Sequence, residues 1–303
     1  MAFNVQGMTD FIKSQGEVII TELILEGDSF EHIPMQEGIK FKERVVDLSD
    51  DGTVLQTGDY TETAYSGGTK MLDVDIEVVE YHVKEKYKRR DLESKAIGVA
   101  MKKGSSPENL EVKDFIYDLK GKAINKANEK NLWQGVKATD KMDGFLTQVL
   151  AGSPITGGTA VALSASTAVA TIEALVKEGF EANEAWITNE TVMAMSPKNF
   201  ATYYRALFKQ NQAIDGDTLS KNLTIKYFYI PGTSIKVINS IGLTGKNNIL
   251  WFVANNFRIG VDLKSGQDVF EFEYLNEAMV HRLLAIFKLG AKVINPSQVV
   301  VTV

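Results

Sequence analysis

The sequence lacks cysteine altogether and has only three histidines among its 303 residues. Without thiols, disulfide bonds, thiolate metal sites and a cysteine nucleophile are excluded. His32, His82 and His281 stand far apart, and none belongs to a ligand pattern such as His-Glu-x-x-His. We therefore interpret the histidines as structural or interface residues, and stability has to come from packing and association.

Motifs for catalysis are also missing. No nucleophile elbow of the Gly-x-Ser-x-Gly type occurs, and Gly121-Lys122-Ala123 lacks the upstream glycine and the hydroxyl residue of a phosphate-binding loop. Asp73 and Asp75 resemble a metal-binding carboxylate pair. However, residues i and i+2 of a strand share one face, and two solvated acids are the simpler interpretation. We therefore predict no catalytic residue, no metal and no cofactor, and we do not interpret the chain as an enzyme.

Targeting and membrane segments are not indicated either. The first residues lack a basic region followed by an apolar core, so they do not read as a secretory signal. Residues 144–172 carry no charge and are numerous enough to cross a bilayer. That stretch is nevertheless rich in Gly, Ser and Thr and contains Pro154, so its backbone groups would go unsatisfied in lipid. We expect no membrane partner.

Charge is unevenly distributed along the chain. The net charge of −6 argues against nucleic-acid binding over the whole surface. Residues 43–80 hold ten acids and two bases, whereas residues 84–103 hold eight bases and three acids. Tyr87 is the only aromatic residue of the basic segment, which disfavours stacking on nucleic-acid bases. We therefore favour contact of the basic stretch Lys84 to Arg90 with an acidic protein surface, and contact with phosphate is the alternative.

Two alternating segments predict a long β-hairpin. Residues 39–47 and 72–83 alternate between apolar and polar side chains, and a polar tip at 49–68 joins them. The adjacent pair Val78 and Val79 breaks the alternation, as a β-bulge would. Because an isolated two-stranded hairpin is barely stable in water, we expect this one to lie on another surface.

Residues 107–135 predict the longest helix. Ser106 can cap it, Pro107 suits its first position and Gly135 can end it. At 1.5 Å per residue such a helix is about 40 Å long, enough to run across the molecule. Its predicted buried stripe consists of Val112, Phe115, Ile116, Leu119, Ala123 and Ala127.

The remaining segments are predicted to mix helices and strands. Further helices are predicted at 8–26, 167–179 and 191–208, the last interrupted at Pro197. Strands are predicted at 184–188, 224–230, 234–239, 249–254, 278–289 and 292–303, with a turn at Gly290 between the last two. Loops are predicted at 151–163 and 209–223.

Several short motifs occur in a characteristic order along the chain. They are Asn131-Leu-Trp-Gln-Gly135 with Met142-Asp-Gly-Phe-Leu146, then Ala185-Trp-Ile-Thr-Asn189, Ile230-Pro-Gly-Thr-Ser-Ile-Lys-Val237 and Phe287-Lys-Leu-Gly-Ala-Lys-Val-Ile-Asn-Pro296. Together with the order of the predicted elements, these motifs resemble the major capsid proteins of tailed bacteriophages, which have the Hong Kong 97-type fold. The resemblance covers nearly the whole chain.

The resemblance implies an α+β Hong Kong 97-type capsid fold with four parts: an N-terminal arm, an extended β-hairpin called the E-loop, a peripheral domain with a long spine helix, and an axial domain. The implied bounds are 1–36 for the arm, 37–84 for the E-loop, 85–163 for the peripheral domain with its spine helix at 107–135, 164–261 for the axial domain, and 262–303 for the return to the peripheral domain.

The resemblance also implies a function and partners. The chain would be a major capsid protein that self-assembles, as pentamers and hexamers, into an icosahedral shell around a phage genome. Its location would be the virion capsid and, during assembly, the host cytoplasm. Further implied partners are a portal, a decoration protein, and DNA packaged on the inner face without sequence specificity. Residues 1–36 are too few for a built-in scaffolding segment, so a separate scaffolding protein is expected. The alternative is an encapsulin-type compartment with protein cargo, because encapsulins share the fold.

The uneven charge predicts how subunits meet. The acidic E-loop of one subunit is expected to dock on the basic strand and spine helix of the next. The predicted acidic residues are Asp47, Asp50, Asp51, Asp59, Glu62, Asp73 and Asp75. The predicted basic residues are Lys84, Lys86, Lys88, Arg89, Arg90, Lys120, Lys122 and Lys126.

Overall fold

The computed structural model of the chain describes residues 29–50, 68–88, 110–138, 141–182, 184, 191–209, 226–262, 269–275 and 280–303. The helices are α1 (Leu110–Gln134), α2 (Phe145–Ala151), α3 (Ala168–Ala182) and α4 (Pro197–Lys209). The strands are β1 (Met35–Gln36), β2 (Lys42–Asp50), β3 (Thr69–Glu77), β4 (Val79–Lys88), β5 (Ile155–Thr156), β6 (Thr191–Met195), β7 (Tyr227–Tyr229), β8 (Ile235–Asn239), β9 (Leu250–Val253), β10 (Phe257–Val261), β11 (Val269–Leu275), β12 (Val280–Val293) and β13 (Val300–Val301). They form two sheets and a separate β2–β3 hairpin.

The first sheet is built around β12, its longest strand. β4 lies antiparallel along one edge, where Val79 pairs with Leu289 and Lys88 with Val280. Residues 280–286 of β12 pair with β4 and β11 at once, so β11 must lie on the opposite edge. β10 pairs with the last residues of β12, and β1 extends the sheet beside β10.

The long helix α1 packs on one face of the first sheet. Ile124 contacts Ala285 and Phe287 of β12, and Tyr81 and Val83 of β4 complete this cluster. The alternation of β4 explains the arrangement, because every second side chain points toward the helix.

The predicted C-terminal end of α1 and its predicted buried stripe fared differently, whereas the predicted start at Ser106 and Pro107 lies outside the described residues. The helix ends as expected, since the Gly135 N–H donates to the Asn131 carbonyl at 2.9 Å. The stripe was wrong in the described part of the helix: Leu119 is 55% exposed, and Ala123 and Ala127 are exposed as well. The buried residues are instead Ile124, Asn128, Glu129, Leu132 and Trp133. Packing on the sheet and on residues 29–30 outweighs the local apolar pattern.

The second sheet has the strand order β5-β13-β9-β6-β8-β7. Its strand β6 lies between β8, which is parallel, and β9, which is antiparallel, and all five of its residues are buried. Ile172 of α3 and Tyr203 of α4 pack in the same cluster as Trp251 of β9. This sheet and its two helices enclose the second large core of the described chain.

The helix predicted at 191–208 was wrong over its first residues. Residues 191–195 form the strand β6, and the helix begins only at Pro197. A proline suits the first turn of a helix but interrupts its interior. The apolar run before it is short enough to be a fully buried strand, which periodicity cannot distinguish from a buried helix.

The predicted turn at Gly290 was also wrong. Gly290 lies inside β12 and pairs with Gly260 of β10. Likewise, Val78 and Val79 do not form a bulge within the hairpin. The chain leaves β3 at Glu77, and from Val79 onward it pairs with β12 in the first sheet. The domain boundaries implied by the resemblance stay predictions, although β4 runs continuously through the one at residue 84.

Several other predictions are confirmed. β2 and β3 pair from Lys42 with Glu77 to Asp50 with Thr69, as expected for the hairpin. α3, β7, β8 and β9 lie within or close to the predicted segments, and the loop predicted at 151–163 contains only the last residue of α2 and the short strand β5. The predicted helix at 8–26, the hairpin tip, residues 185–188 of a predicted strand and most of the loop at 209–223 lie outside the described residues.

Candidate intersubunit surfaces

The hairpin has two distinct faces. Directly paired residues of an antiparallel ladder point to the same side. One face therefore carries Lys42, Arg44, Val46 and Leu48 of β2 with Met71, Asp73, Asp75 and Glu77 of β3. The opposite face carries Glu43, Val45 and Asp47 with Leu72, Val74 and Ile76. Val74 and Ile76 are buried against the rest of the subunit.

Near its base, the first of these faces is a ladder of ion pairs. Lys42 Nζ lies 2.8 Å from Asp75 Oδ2, and Arg44 Nη1 lies 3.3 Å from Asp73 Oδ2. The hydrogen bond from Lys42 lowers the pKa of Asp75 below its ordinary value. Asp73 and Asp75 thus have bases of their own hairpin as partners, which the sequence interpretation did not anticipate.

Farther from the base, the same face becomes apolar. Val46 is 50% exposed, Leu48 61% and Met71 69%. These three side chains form a contiguous patch, because Leu48 pairs with Met71 and Val46 is two residues along the same strand. Sequence reasoning missed this patch. Arg44, Val46 and Leu48 stand two residues apart along the strand, and this spacing could have indicated that Val46 and Leu48 share one face.

The predicted basic residues of β4 lie together on one face of the first sheet. Lys84, Lys86 and Lys88 are exposed and point away from α1. Their paired residues on β12 are Leu284, Arg282 and Val280, all half-buried. We call this surface, formed by Lys84, Lys86, Lys88, Val280, Arg282 and Leu284, the outer sheet face. It combines positive charge with partly accessible apolar side chains.

The opposite side of the same sheet holds an ion pair to α1. Lys120 Nζ donates to Glu85 Oε1 at 2.6 Å, and the Tyr87 hydroxyl donates to Glu85 Oε2. Partial burial by itself would raise the pKa of Glu85, but the hydrogen bonds from Lys120 and Tyr87 lower it below its ordinary value. Lys120, predicted to meet a neighbour, has an acidic partner in its own subunit.

The remaining predicted bases of α1 lie elsewhere again. Lys122 and Lys126 are exposed and lie on the side of the helix away from Ile124, which packs on the sheet. The structure therefore divides the predicted basic surface between two opposite sides of a helix-on-sheet unit. One flat segment from a neighbour can contact one of these sides, and not both.

Some predicted contact residues have no described side chain. Asp47 and Asp50 belong to β2, although their side chains are outside the description. Asp51, Asp59, Glu62, Arg89 and Arg90 lie outside the described residues. Within the described ranges, no three His, Asp or Glu side chains are grouped so as to hold a metal ion. Among the helices described, none has the length and hydrophobicity that crossing a membrane requires.

Comparison with known proteins identifies the fold. No protein-family model and no curated protein sequence matches the chain. Several solved structures, in contrast, are similar to the chain. The capsid of a native GTA particle aligns over 92% of this chain and 89% of its own, with 13% identity and a TM-score of 0.59. The satellite phage P4 procapsid with its size determination (Sid) protein aligns over 100% and 97%, with 10% identity and a TM-score of 0.59.

A third similar structure is a virus-like particle. A virus-like particle from Pyrococcus furiosus aligns over 94% of this chain and 96% of its own, with 12% identity and a TM-score of 0.53. These alignments cover nearly the full length of the chain, at identities that establish architecture alone. The chain has the α+β Hong Kong 97-type fold.

Proposed function

We propose that this chain is a major capsid protein of a tailed phage, which self-assembles through pentamers and hexamers into an icosahedral shell that encloses the genome. The fold supports the proposal, and the hairpin carries it. Val46, Leu48 and Met71 form an apolar patch that is half or more exposed in the single subunit. Because a lone two-stranded hairpin is marginally stable, this patch gains its burial when the hairpin, acting as the E-loop, lies across an adjacent copy.

In this proposal the hairpin docks on the outer sheet face of the adjacent copy. Its half-buried Leu284 can accept apolar side chains, and Lys84, Lys86 and Lys88 can face the acids near the hairpin tip. Burial of apolar area contributes about 25 cal/mol per Å². Exposed ion pairs contribute only about 0–1 kcal/mol each, so they would set the register of docking more than its strength.

Several residues predicted to contact a neighbour have another role in this arrangement. Asp73 and Asp75 stiffen the hairpin through Lys42 and Arg44. Lys122 and Lys126 lie on the other side of the subunit and stay out of the contact. Asp47 belongs to the hairpin face opposite the apolar patch, so the acids left for the neighbour are those closer to the tip, from Asp50 to Glu62.

The remaining partners are proposed on the basis of the fold. They are a separate scaffolding protein, a portal, a decoration protein, and packaged DNA held on the inner face without sequence specificity. The corresponding locations are the virion capsid and, during assembly, the host cytoplasm.

Charge reversal with rescue tests the docking. The triple variant Lys84→Glu, Lys86→Glu, Lys88→Glu should retain its circular dichroism spectrum but form no shells in electron micrographs. Adding Asp50→Lys, Asp51→Lys and Asp59→Lys to the same chain should restore shells, because the complementary charges are exchanged. The matched control is Lys122→Glu with Lys126→Glu, which should assemble. Normal shells from the triple variant, or equal failure of the control, would rule out the outer sheet face as the docking surface.

The contents of the particles decide between two kinds of shell. The likeness to the virus-like particle covers almost the whole chain, which keeps an encapsulin-type compartment as the second candidate. Particles purified from an infected or induced host should contain double-stranded DNA if the chain encloses a genome. A stoichiometric protein cargo without DNA would favour the compartment.

A further inference from the structure

Two glycines face each other across the first sheet. Gly260 of β10 pairs directly with Gly290 of β12. Neither has a left-handed backbone conformation, in contrast to Gly38, Gly158, Gly232 and Gly245. The backbone therefore does not require glycine at these positions. A lack of side chains on adjacent strands leaves a shallow notch across the sheet.

The root of the hairpin, formed by Ile39, Ile76, Glu77 and Val78, fills this notch. A Cβ atom at Gly290 would lie 2.3 Å from the Glu77 carbonyl oxygen and 3.1 Å from Val78 Cγ1. A Cβ atom at Gly260 would lie 2.8 Å from Ile76 Cγ2 and 3.1 Å from Ile39 Cδ1. Glycine is thus needed at both positions, because any side chain there would collide with the hairpin.

Further bonds fasten the root on both strands. The Val78 N–H donates to the Phe41 carbonyl at 3.0 Å, which closes the hairpin at its base. The Ile39 N–H donates to the Val261 carbonyl at 3.1 Å, which ties the entering strand to the end of β10. Ile39 and Ile76 are completely or almost completely buried. The exposed, distal half of the hairpin therefore projects from a tightly packed base.

We infer that Gly260 and Gly290 form a seat that sets the direction in which the hairpin leaves the subunit. A strand of nine residues extends about 30 Å at 3.3 Å per residue. A tilt of about 10° at the root would therefore displace the far end by about 5 Å, roughly the spacing between neighbouring strands. A Cβ atom at Gly290 pushes against backbone, which cannot rotate aside, so the hairpin has to tilt.

The consequence for assembly rests on the proposed function. If the hairpin is the E-loop, the seat determines whether its apolar patch meets the surface of the next copy. Gly260 and Gly290 are then positioning residues for the intersubunit contact, although neither belongs to the contact itself.

Distance measurements on unassembled subunits test the seat directly. The chain has no cysteine, so Met71→Cys and Lys84→Cys place one spin label on the hairpin and one on the first sheet without further changes. Double electron–electron resonance should give one narrow distance distribution in this background. Met71 lies six residues before the end of β3 at Glu77, about 20 Å along the strand, so a tilt of about 10° caused by Gly290→Ala should shift the maximum by about 3 Å or broaden the distribution by as much.

A matched glycine separates positioning from loss of stability. At Gly157 a Cβ atom would be crowded by side chains about as much as at Gly260, 2.9 Å from Val300 Cγ1 and 3.0 Å from Leu175 Cγ, but in the second sheet. Gly157→Ala should destabilise the subunit without changing the distance between the labels. An equal change in both variants would overturn the inference.

Gly260 supplies a second, milder series. Its nearest obstacle is the Ile76 side chain, so Gly260→Ala should shift the distance less than Gly290→Ala, and adding Ile76→Ala should restore it. This series carries the test if Gly290→Ala does not fold. Unchanged distances in the folded glycine variants overturn the seat, whatever the shells do. Shifted distances with a normal yield of shells would leave the seat intact and count against the E-loop function.

Discussion

Lys288 and Asp262 form an ion pair at the base of the hairpin, with 2.9 Å between Nζ and Oδ2. Both side chains are largely buried, at 13% and 4% exposed. Lys288 also donates to the Lys40 carbonyl at 3.3 Å, just before β2 begins. The pair thus joins the centre of the first sheet to the segment that leads into the hairpin.

Removing one partner of this pair should be costly. Lys288→Met leaves the Asp262 carboxylate buried without its cation and should lower the free energy of unfolding by about 3 kcal/mol. The double variant Lys288→Met, Asp262→Leu should recover much of that loss, because no buried charge remains. Urea unfolding of the subunit measures both. Lys42→Met, which breaks exposed pairs, is the control and should cost much less than Lys288→Met; equal losses at the two lysines would contradict the prediction.

A buried hydrogen-bond chain holds the first described residues on α1. Ser29 donates its N–H and hydroxyl to the Glu129 carboxylate at 3.0 and 2.6 Å, and Trp133 Nε1 donates to Ser29 Oγ at 2.7 Å. Ser29→Ala removes the hydroxyl that links Trp133 to Glu129.

We expect Ser29→Ala to destabilise the subunit by about 1–3 kcal/mol, because buried polar groups lose a partner. The fluorescence of Trp133 should change at the same time, measured in a chain whose other two tryptophans are replaced by phenylalanine. Ser166→Ala, in an exposed turn, is the control and should alter neither property. An unchanged stability in Ser29→Ala would contradict the importance of this chain of bonds.

The Glu85–Lys120 pair should make stability depend on pH. The pKa of Glu85 is lowered in the folded subunit, so its contribution is complete above the unfolded value near 4.5 and is lost as the pH falls through the lowered folded pKa. Lys120→Met should therefore cost up to about 1 kcal/mol at pH 7, since the pair is partly exposed. The difference from the unaltered chain should narrow below pH 4.5.

Urea unfolding at a series of pH values checks this prediction. Lys126→Met, on the exposed side of the same helix, should show a small effect that does not change with pH. A constant difference for Lys120→Met from neutral to acidic pH would mean that the charge of Glu85 does not stabilise the contact between β4 and α1.

Gly179 illustrates a glycine required by packing in the second core. A Cβ atom there would lie 1.8 Å from Cζ3 of Trp251, a fully buried side chain. Gly179→Ala should destabilise the subunit by about 1–3 kcal/mol through overpacking, even though alanine favours a helix. Ala174→Ser, on the exposed side of the same helix, should stay within about 0.5 kcal/mol. Thermal unfolding compares them, and a stabilised Gly179→Ala would contradict the close contact.

The hairpin and the long helix were predictable because their signals are local. Alternation over a few residues reports a strand, and capping and terminating residues report the limits of a helix. The pairing of β2 with β3 and the end of α1 at Gly135 follow from such neighbours in sequence. The order of these elements also led to the capsid fold.

The faces of these elements were not predictable in the same way. The apolar stripe through Leu119 and Ala123 satisfied helical spacing, yet the helix buries Ile124 and Glu129 instead. Gly290 looked like a turn, although it is a strand residue that another strand approaches closely. The periodicity of apolar residues indicates that a helix or strand has two different sides. Which side is buried depends on a packing partner that is distant in the sequence.

The sequence by itself determined that the chain is α+β, free of cysteine chemistry, and built around a long helix and an acidic hairpin. Only the tertiary structure decided that the acids near the hairpin base pair with their own lysine and arginine, and that the basic residues are split between two sides of one sheet. The reason is physical: net charge depends on composition, whereas the partner of each charge depends on which strands the fold places side by side.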